Sequence, residues 1–93
     1  MANAIVTLKI MPESPDLDME MVKEKANKIL DSIVGEGDRR AEIEPIAFGL
    51  KALNLIFVMD ENKGSPDPIA EKVKEGIEGV QSVEVSDVRR AVG

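Results

Sequence analysis

The chain has 93 residues, a formal net charge of −6 and 43% hydrophobic residues. A chain of this length folds as one domain around one small core, so we expect a single domain over residues 1–93. Cysteine and histidine are both absent, which excludes disulfides, thiolate nucleophiles, thiolate metal sites and an imidazole base. The acidic charge argues against a direct nucleic-acid partner and against binding to an anionic membrane surface.

The first half of the chain predicts a strand, a helix and a second strand. Residues Ala4 to Met11 are apolar and β-branched, which is typical of a buried strand. After a cap at Asp16 or Asp18, apolar residues recur at helical spacing until Gly35 and Gly37 end the pattern. The more polar run from Asp38 to Ala47 contains Pro45, which favours a strand at the edge of a sheet.

The second half predicts a strand, a helix and a strand. Leu50 to Met59 is the most apolar run, and its alternation places Phe57 on the buried face. Ser65 followed by Pro66 predicts a helix start, with the serine hydroxyl as cap and proline at the first helical position. The helical apolar stripe continues to Gly79, and Val80 to Val88 predicts the last strand.

The order β-α-β-β-α-β predicts a ferredoxin-like α+β sandwich, in which two helices cover one face of a four-stranded, mainly antiparallel sheet. Right-handed crossovers place the first and third strands in the centre and the second and fourth at the edges. We also expect the end of the second strand and the end of the fourth strand to lie at the same end of the sheet. The two segments that follow these strands would then form one composite surface.

Phe48 lies where the second strand turns into the third, between the small residues Ala47 and Gly49. One interpretation is a core aromatic that folds back onto a helix, because most phenylalanines are buried. The other is an exposed anchor that fills a pocket on a partner. The residue pattern leaves both open.

Arg89 and Arg90 follow Asp87 near the end of the chain. They are either a frayed, solubilising terminus or cations that reach a carboxylate or phosphate on another molecule. Adjacent residues of a strand point to opposite faces, so only one of the two arginines is expected to act on a partner. Arg39 and Arg40 precede the predicted edge strand and are expected to protect it from pairing.

The acidic residues do not predict a metal site or a catalytic site. Asp60, Glu61, Glu84 and Asp87 lack the spacing of a calcium-binding loop. Acidic residues are frequent in this chain, and most carboxylates in such a sequence lie on a solvated surface. We therefore expect no catalytic residues, no metal and no cofactor.

Three segments of the chain resemble the translation elongation factor 1-beta family in its short archaeal form. They are Lys9-Ile10-Met11-Pro12-Glu13-Ser14, Glu44-Pro45-Ile46-Ala47-Phe48-Gly49-Leu50, and Val83-Glu84-Val85-Ser86-Asp87-Val88-Arg89-Arg90. The resemblance extends over essentially the whole chain. It implies the ferredoxin-like fold independently of the hydrophobic pattern.

The resemblance also implies a function, a partner and a set of contact residues. Members of this family promote exchange of GDP for GTP on the translational GTPase elongation factor 1-alpha. In eukaryotic members an aromatic residue and a lysine near the C-terminus enter the GTPase near its switch regions and its magnesium ion. These positions correspond here to Phe48 and Arg90, with Ala47, Gly49, Asp87 and Arg89 beside them.

The implied protein is a cytoplasmic exchange factor without covalent chemistry, expected to be a monomer. It would act on the GDP and magnesium that its partner holds. A non-catalytic ferredoxin-like domain that binds a ligand or oligomerises is the alternative. That alternative predicts a symmetric dimer formed through the sheet.

Overall fold

The secondary structure follows the predicted order of strand, helix, strand, strand, helix and strand. The structure, a computed structural model, describes residues 3–35, 37, 39–60, 62 and 64–91. Its elements are β1 (Asn3–Pro12), α1 (Met19–Val34), β2 (Arg39–Pro45), β3 (Lys51–Asp60), α2 (Asp67–Gly76) and β4 (Val80–Ala91). None of the helices in this part of the chain is long and apolar enough to cross a bilayer.

The four strands form one antiparallel sheet in the order β2-β3-β1-β4. The prediction that the first and third strands lie in the centre is therefore confirmed, as is the ferredoxin-like fold. Residues of β1 alternate between buried and more exposed positions, because the helices cover only one face of the sheet. We call the uncovered side the open face.

The core lies between the helices and the sheet and is almost entirely aliphatic. Phe57 is its one aromatic residue and is 0% exposed. Around it pack apolar side chains of the central strands and both helices, including Val6, Leu8, Ile10, Val22, Leu30, Leu53, Leu55 and Val73. No charged or polar residue of the described chain is buried, so the core is stabilised by apolar burial and close packing.

The structure shows which of the two candidate residues, Asp16 or Asp18, caps the start of α1. Asp18 is the N-cap, and its carboxylate accepts hydrogen bonds from the backbone N–H groups of Glu20 and Met21 at 3.0 and 3.4 Å. This arrangement satisfies donors that have no partner within the helix. The helix ends at Val34, directly before Gly35, as predicted.

The boundaries of α2 differ from the prediction at both ends. Pro66 is the N-cap rather than the first helical residue, and Asp67 begins the helix. The hydroxyl of Ser65 still accepts a hydrogen bond from the N–H of Asp67 at 3.2 Å. The helix ends at Gly76, three residues before Gly79, because Ile77 already has an extended backbone with φ −127° and ψ 117°. Gly79, with φ +85°, makes the turn into β4.

The edge strands also differ from their predicted lengths. β2 ends at Pro45, and Ala47 belongs to the following turn; the predicted first residue of β2, Asp38, lies outside the described residues. β4 extends to Ala91 rather than ending at Val88. The interpretation of Arg89 and Arg90 as a frayed terminus is therefore wrong, because they pair with Ile5 and Ala4 of β1.

Candidate functional site

The connection between β2 and β3 is a tight loop over residues 46–50, which we call the hairpin loop. The N–H of Ile46 donates to the carbonyl of Leu50 at 2.8 Å, and the N–H of Leu50 donates to the carbonyl of Ala47 at 3.3 Å. Ala47–Gly49 forms a single 3-10 turn between these bonds. The loop is thus closed by its own backbone hydrogen bonds.

Phe48 lies at the tip of the hairpin loop with its ring in solvent. Its side chain is 95% exposed, whereas Phe57 is fully buried. The interpretation as a core aromatic is therefore wrong for Phe48. An exposed aromatic ring at a loop tip is suited to filling a pocket on a partner.

The backbone of Phe48 holds the ring in this exposed position. Phe48 has φ 62° and ψ 29°, the left-handed helical conformation, and is the one non-glycine residue with positive φ in the described chain. This conformation costs a phenylalanine about 1–2 kcal/mol. Gly49 follows with φ 75°, a conformation that glycine adopts without a Cβ clash. Strain of this kind is concentrated at functional sites.

The arginines of β4 are fixed by the pairing of that strand with β1. Leu8 pairs with Val85 and Thr7 pairs with Asp87, so Ser86 is the extra residue of a β-bulge. The Ser86 hydroxyl donates to the carbonyl of Thr7 at 3.3 Å. Because of the bulge, each later residue of β4 lies on the opposite face of the sheet from the one that uninterrupted alternation would give it.

The shifted alternation separates the two arginines. Paired residues in an antiparallel sheet share a face, so Arg90, opposite the buried Ala4, lies on the helix side. Arg89, opposite Ile5, lies on the open face. There its Nε donates to Oδ2 of Asp87 at 2.7 Å, with the arginine side chain 77% exposed. Both arginines are exposed, on opposite sides of the strand.

The hairpin loop and the arginines of β4 lie at opposite ends of the sheet, so the prediction of one composite surface is wrong. Pro45 pairs with Lys51, at the level of Pro12, whereas Arg90 pairs with Ala4. Eight strand residues separate these two levels of β1, which corresponds to about 25 Å. The reason is that β4 runs antiparallel to β1. It begins near the hairpin loop and ends away from it.

Arg39 has a structural role that the sequence did not predict. Its guanidinium donates to the carbonyls of Asn27 at 2.9 Å and Gly35 at 2.6 Å and pairs with the carboxylate of Asp31. A cation at this position complements the carbonyl end of α1. Arg40 is exposed, and its pairing with Ile56 places it on the open face. An arginine just after a helix is the one sequence signal that could have identified this capping role.

The described residues contain no group of three or more carboxylates that could hold a metal ion. Across these parts of the chain the site residues form two separate groups. Ala47, Phe48 and Gly49 lie in the hairpin loop, and Asp87, Arg89 and Arg90 lie at the far end of β4.

Comparison with known proteins identifies the family. Residues 5–91 match the EF-1 guanine nucleotide exchange domain. The chain is 45% identical over 92 residues to elongation factor 1-beta of Methanothermobacter thermautotrophicus and 43% identical over 90 residues to that of Methanosphaera stadtmanae, with 97% of this chain and 98% of each relative covered. It is also 45% identical over 91 residues to elongation factor 1-beta of Staphylothermus marinus, with the same coverage. The chain therefore belongs to the elongation factor 1-beta family and carries its guanine nucleotide exchange domain.

Proposed function

We propose that this protein accelerates the release of GDP from elongation factor 1-alpha by contacting that GTPase at two separate points, through Phe48 and through Arg90. The exchange function itself follows from the family. The division into two contacts rests on one observation: Phe48 is 95% exposed at the opposite end of the sheet from Arg90.

Phe48 is the proposed apolar anchor. Its ring already projects from a loop that is closed by backbone hydrogen bonds, so little conformational entropy is lost when a partner binds it. Burial of such a ring in a pocket beside a switch segment would stabilise the displaced form of that segment. Buried aromatic anchors contribute about 2 kcal/mol or more to an interface.

Arg90 is the proposed electrostatic contact. GDP is held in a GTPase by phosphate contacts and by a magnesium ion with carboxylate ligands. A guanidinium near that site can pair with those carboxylates in a bidentate manner and compete with the metal. Arginine presents a planar fork where the family's lysine presents a compact ammonium, so we expect Arg90→Lys to change the rate of exchange while conserving charge.

This mechanism requires no covalent step. A factor that binds the nucleotide-free GTPase more tightly than the GDP-bound form shifts the equilibrium toward release. The protein would act as a cytoplasmic monomer, and the GDP and magnesium would belong to the partner. Guanidinium and aromatic contacts of this kind need neither histidine nor cysteine, both absent from the chain.

The test is the release of fluorescent GDP from the cognate GTPase with single variants of each contact. We expect Phe48→Ala to lower the exchange rate about thirtyfold and Arg90→Ala about tenfold, because these correspond to about 2 and 1.4 kcal/mol. Val58→Ala, which truncates another exposed apolar side chain, and Arg40→Ala, which removes another exposed arginine, are the matched controls. Normal release with both Phe48→Ala and Arg90→Ala would refute the assignment of the contact residues.

A further inference from the structure

The outer edge of β4 has no strand partner in the described part of the chain. β4 has 12 residues, contains neither proline nor lysine, and pairs only with β1 within the sheet. The opposite edge, β2, has seven residues, with Arg39 and Arg40 at one end and Pro45 at the other. Short length, basic residues and proline are the usual protection of an edge strand. β2 is short and ends at a proline, whereas β4 is long. The Ser86 bulge and the arginines Arg89 and Arg90 protect the last part of β4, so it is the first part, up to Val85, that presents an open main-chain edge.

A groove runs beside this open edge, between α2 and β4. It is an open depression with a volume of about 580 Å³. The floor is apolar, formed by Ala70, Val83 and Val85. Both valines are half-buried, so their remaining apolar surface is available to another side chain.

The rim of the groove is acidic. Asp67 and Glu71 lie on α2, and Glu84 lies on β4, where its pairing with Lys9 places its side chain on the open face. All three are exposed, and none forms a salt bridge with another described residue. Along β4 the apolar Val83 and Val85 face the helix-covered side and the acidic Glu84 faces the open side. This alternation is complementary to a strand that alternates aliphatic and basic residues.

We propose that the groove binds an extended basic segment of a partner protein as a fifth strand of the sheet. The main chain of that segment pairs with the outer edge of β4, as in other cases of strand addition. Its aliphatic side chains pack on Ala70, Val83 and Val85 on the helix-covered face. Its lysines or arginines point to the open face beside Glu84, and the carboxylate of Glu71 attracts the basic segment from α2. Neither Phe48 nor Arg90 lines the groove, so this surface is separate from the proposed contacts with the GTPase.

The charge of the groove excludes a second copy of this chain as the preferred occupant. A second copy carries the same formal net charge of −6 and the same acidic rim, so like charge opposes its approach to the groove. The acidic rim therefore selects a basic partner.

The binding test uses a fluorescein-labelled peptide of nine alternating lysine and valine residues, measured by fluorescence anisotropy. We expect Glu71→Lys combined with Glu84→Lys to weaken its affinity at least tenfold. The matched control, Glu42→Lys with Glu44→Lys, makes the same charge change on β2 and should alter affinity less than threefold. Equal weakening by both pairs of substitutions would show that only general charge attraction binds the peptide, and would overturn the proposal. Absence of binding at 1 mM peptide would overturn it as well.

A second measurement separates strand addition from other modes of binding. A peptide of the same sequence with N-methylated valines cannot pair along a strand edge, and we expect it to bind at least tenfold more weakly. The unmodified peptide should slow hydrogen exchange at amides of β4 but not of β2. Equal affinity of the two peptides, or dimerisation of the protein alone through β4, would refute an added basic strand.

Discussion

The two ends of the sheet hold their candidate contact residues by different physical means. At the hairpin loop, Phe48 is positioned by its own backbone conformation and by two hydrogen bonds within residues 46–50. At the other end, Arg90 is positioned by the pairing of two long strands and by a bulge at Ser86. Local strain can be altered by one substitution without disturbing the fold. A strand register is maintained by many residues at once.

This difference predicts that the two proposed contacts act independently. The sheet between them is packed on a continuous core, and they lie about 25 Å apart along it. Residues at this distance without shared partners usually make additive contributions. A single composite surface would make them strongly coupled.

The largest expected effect is therefore that of a double variant. We expect Phe48→Ala with Arg90→Ala to lower the rate of GDP release about three-hundredfold, the product of about thirtyfold and about tenfold for the single changes. The full cycle of four proteins is measured with fluorescent GDP at matched concentrations. A double variant no slower than Phe48→Ala alone would show that the two residues act on one point of the GTPase.

The fold was predictable because its signals are periodic and mutually consistent. Apolar residues alternate in β1 and β3 and recur at helical spacing in α1 and α2. Together these patterns predict a sheet with one face covered by the two helices. The ends of α2 and β4 were less predictable. Proline and glycine each allow more than one position at a helix terminus, and the sequence of β4 gives no sign that Ser86 forms a bulge.

The sequence singles out the candidate site residues but does not predict how they are arranged. The segment around Phe48 and the ending at Arg90 stand out in the sequence, yet exposure of the ring depends on a left-handed backbone that phenylalanine rarely adopts. The relative position of the two groups depends on strand direction. The direction of β4, opposite to that of β1, places Arg90 away from the hairpin loop.

The second-largest effect concerns the stability that Arg39 provides by capping α1. We expect Arg39→Ala to lower the free energy of unfolding by about 2 kcal/mol, because it removes charge-assisted bonds to the end of α1. Arg40→Ala, the adjacent and exposed residue, should change it by less than about 0.5 kcal/mol. Urea unfolding followed by circular dichroism measures both. Equal stability of the two variants would contradict the capping role of Arg39.

A smaller effect on the free energy of unfolding, of opposite sign, is expected at the hairpin loop. Phe48→Asn should raise the free energy of unfolding by about 1 kcal/mol, because asparagine tolerates the left-handed conformation better than phenylalanine. The same variant should lose exchange activity as Phe48→Ala does. Phe48→Ala is the control for strain, since alanine has the same conformational penalty and should leave stability nearly unchanged. Asparagine and alanine variants of equal stability would show that the backbone at this position is not strained.

The smallest effect is expected at Arg89, and it tests the face assignment made by the bulge. Arg89 lies on the open face and pairs with Asp87 in solvent, and exposed ion pairs contribute about 0–1 kcal/mol. Arg89→Ala should therefore change stability by less than about 0.5 kcal/mol and slow GDP release less than threefold. Asp87→Ala should behave in the same way, because it breaks the same pair. A loss of exchange with Arg89→Ala equal to that with Arg90→Ala would mean that the GTPase contacts both faces of β4, and that the bulge does not select between the arginines.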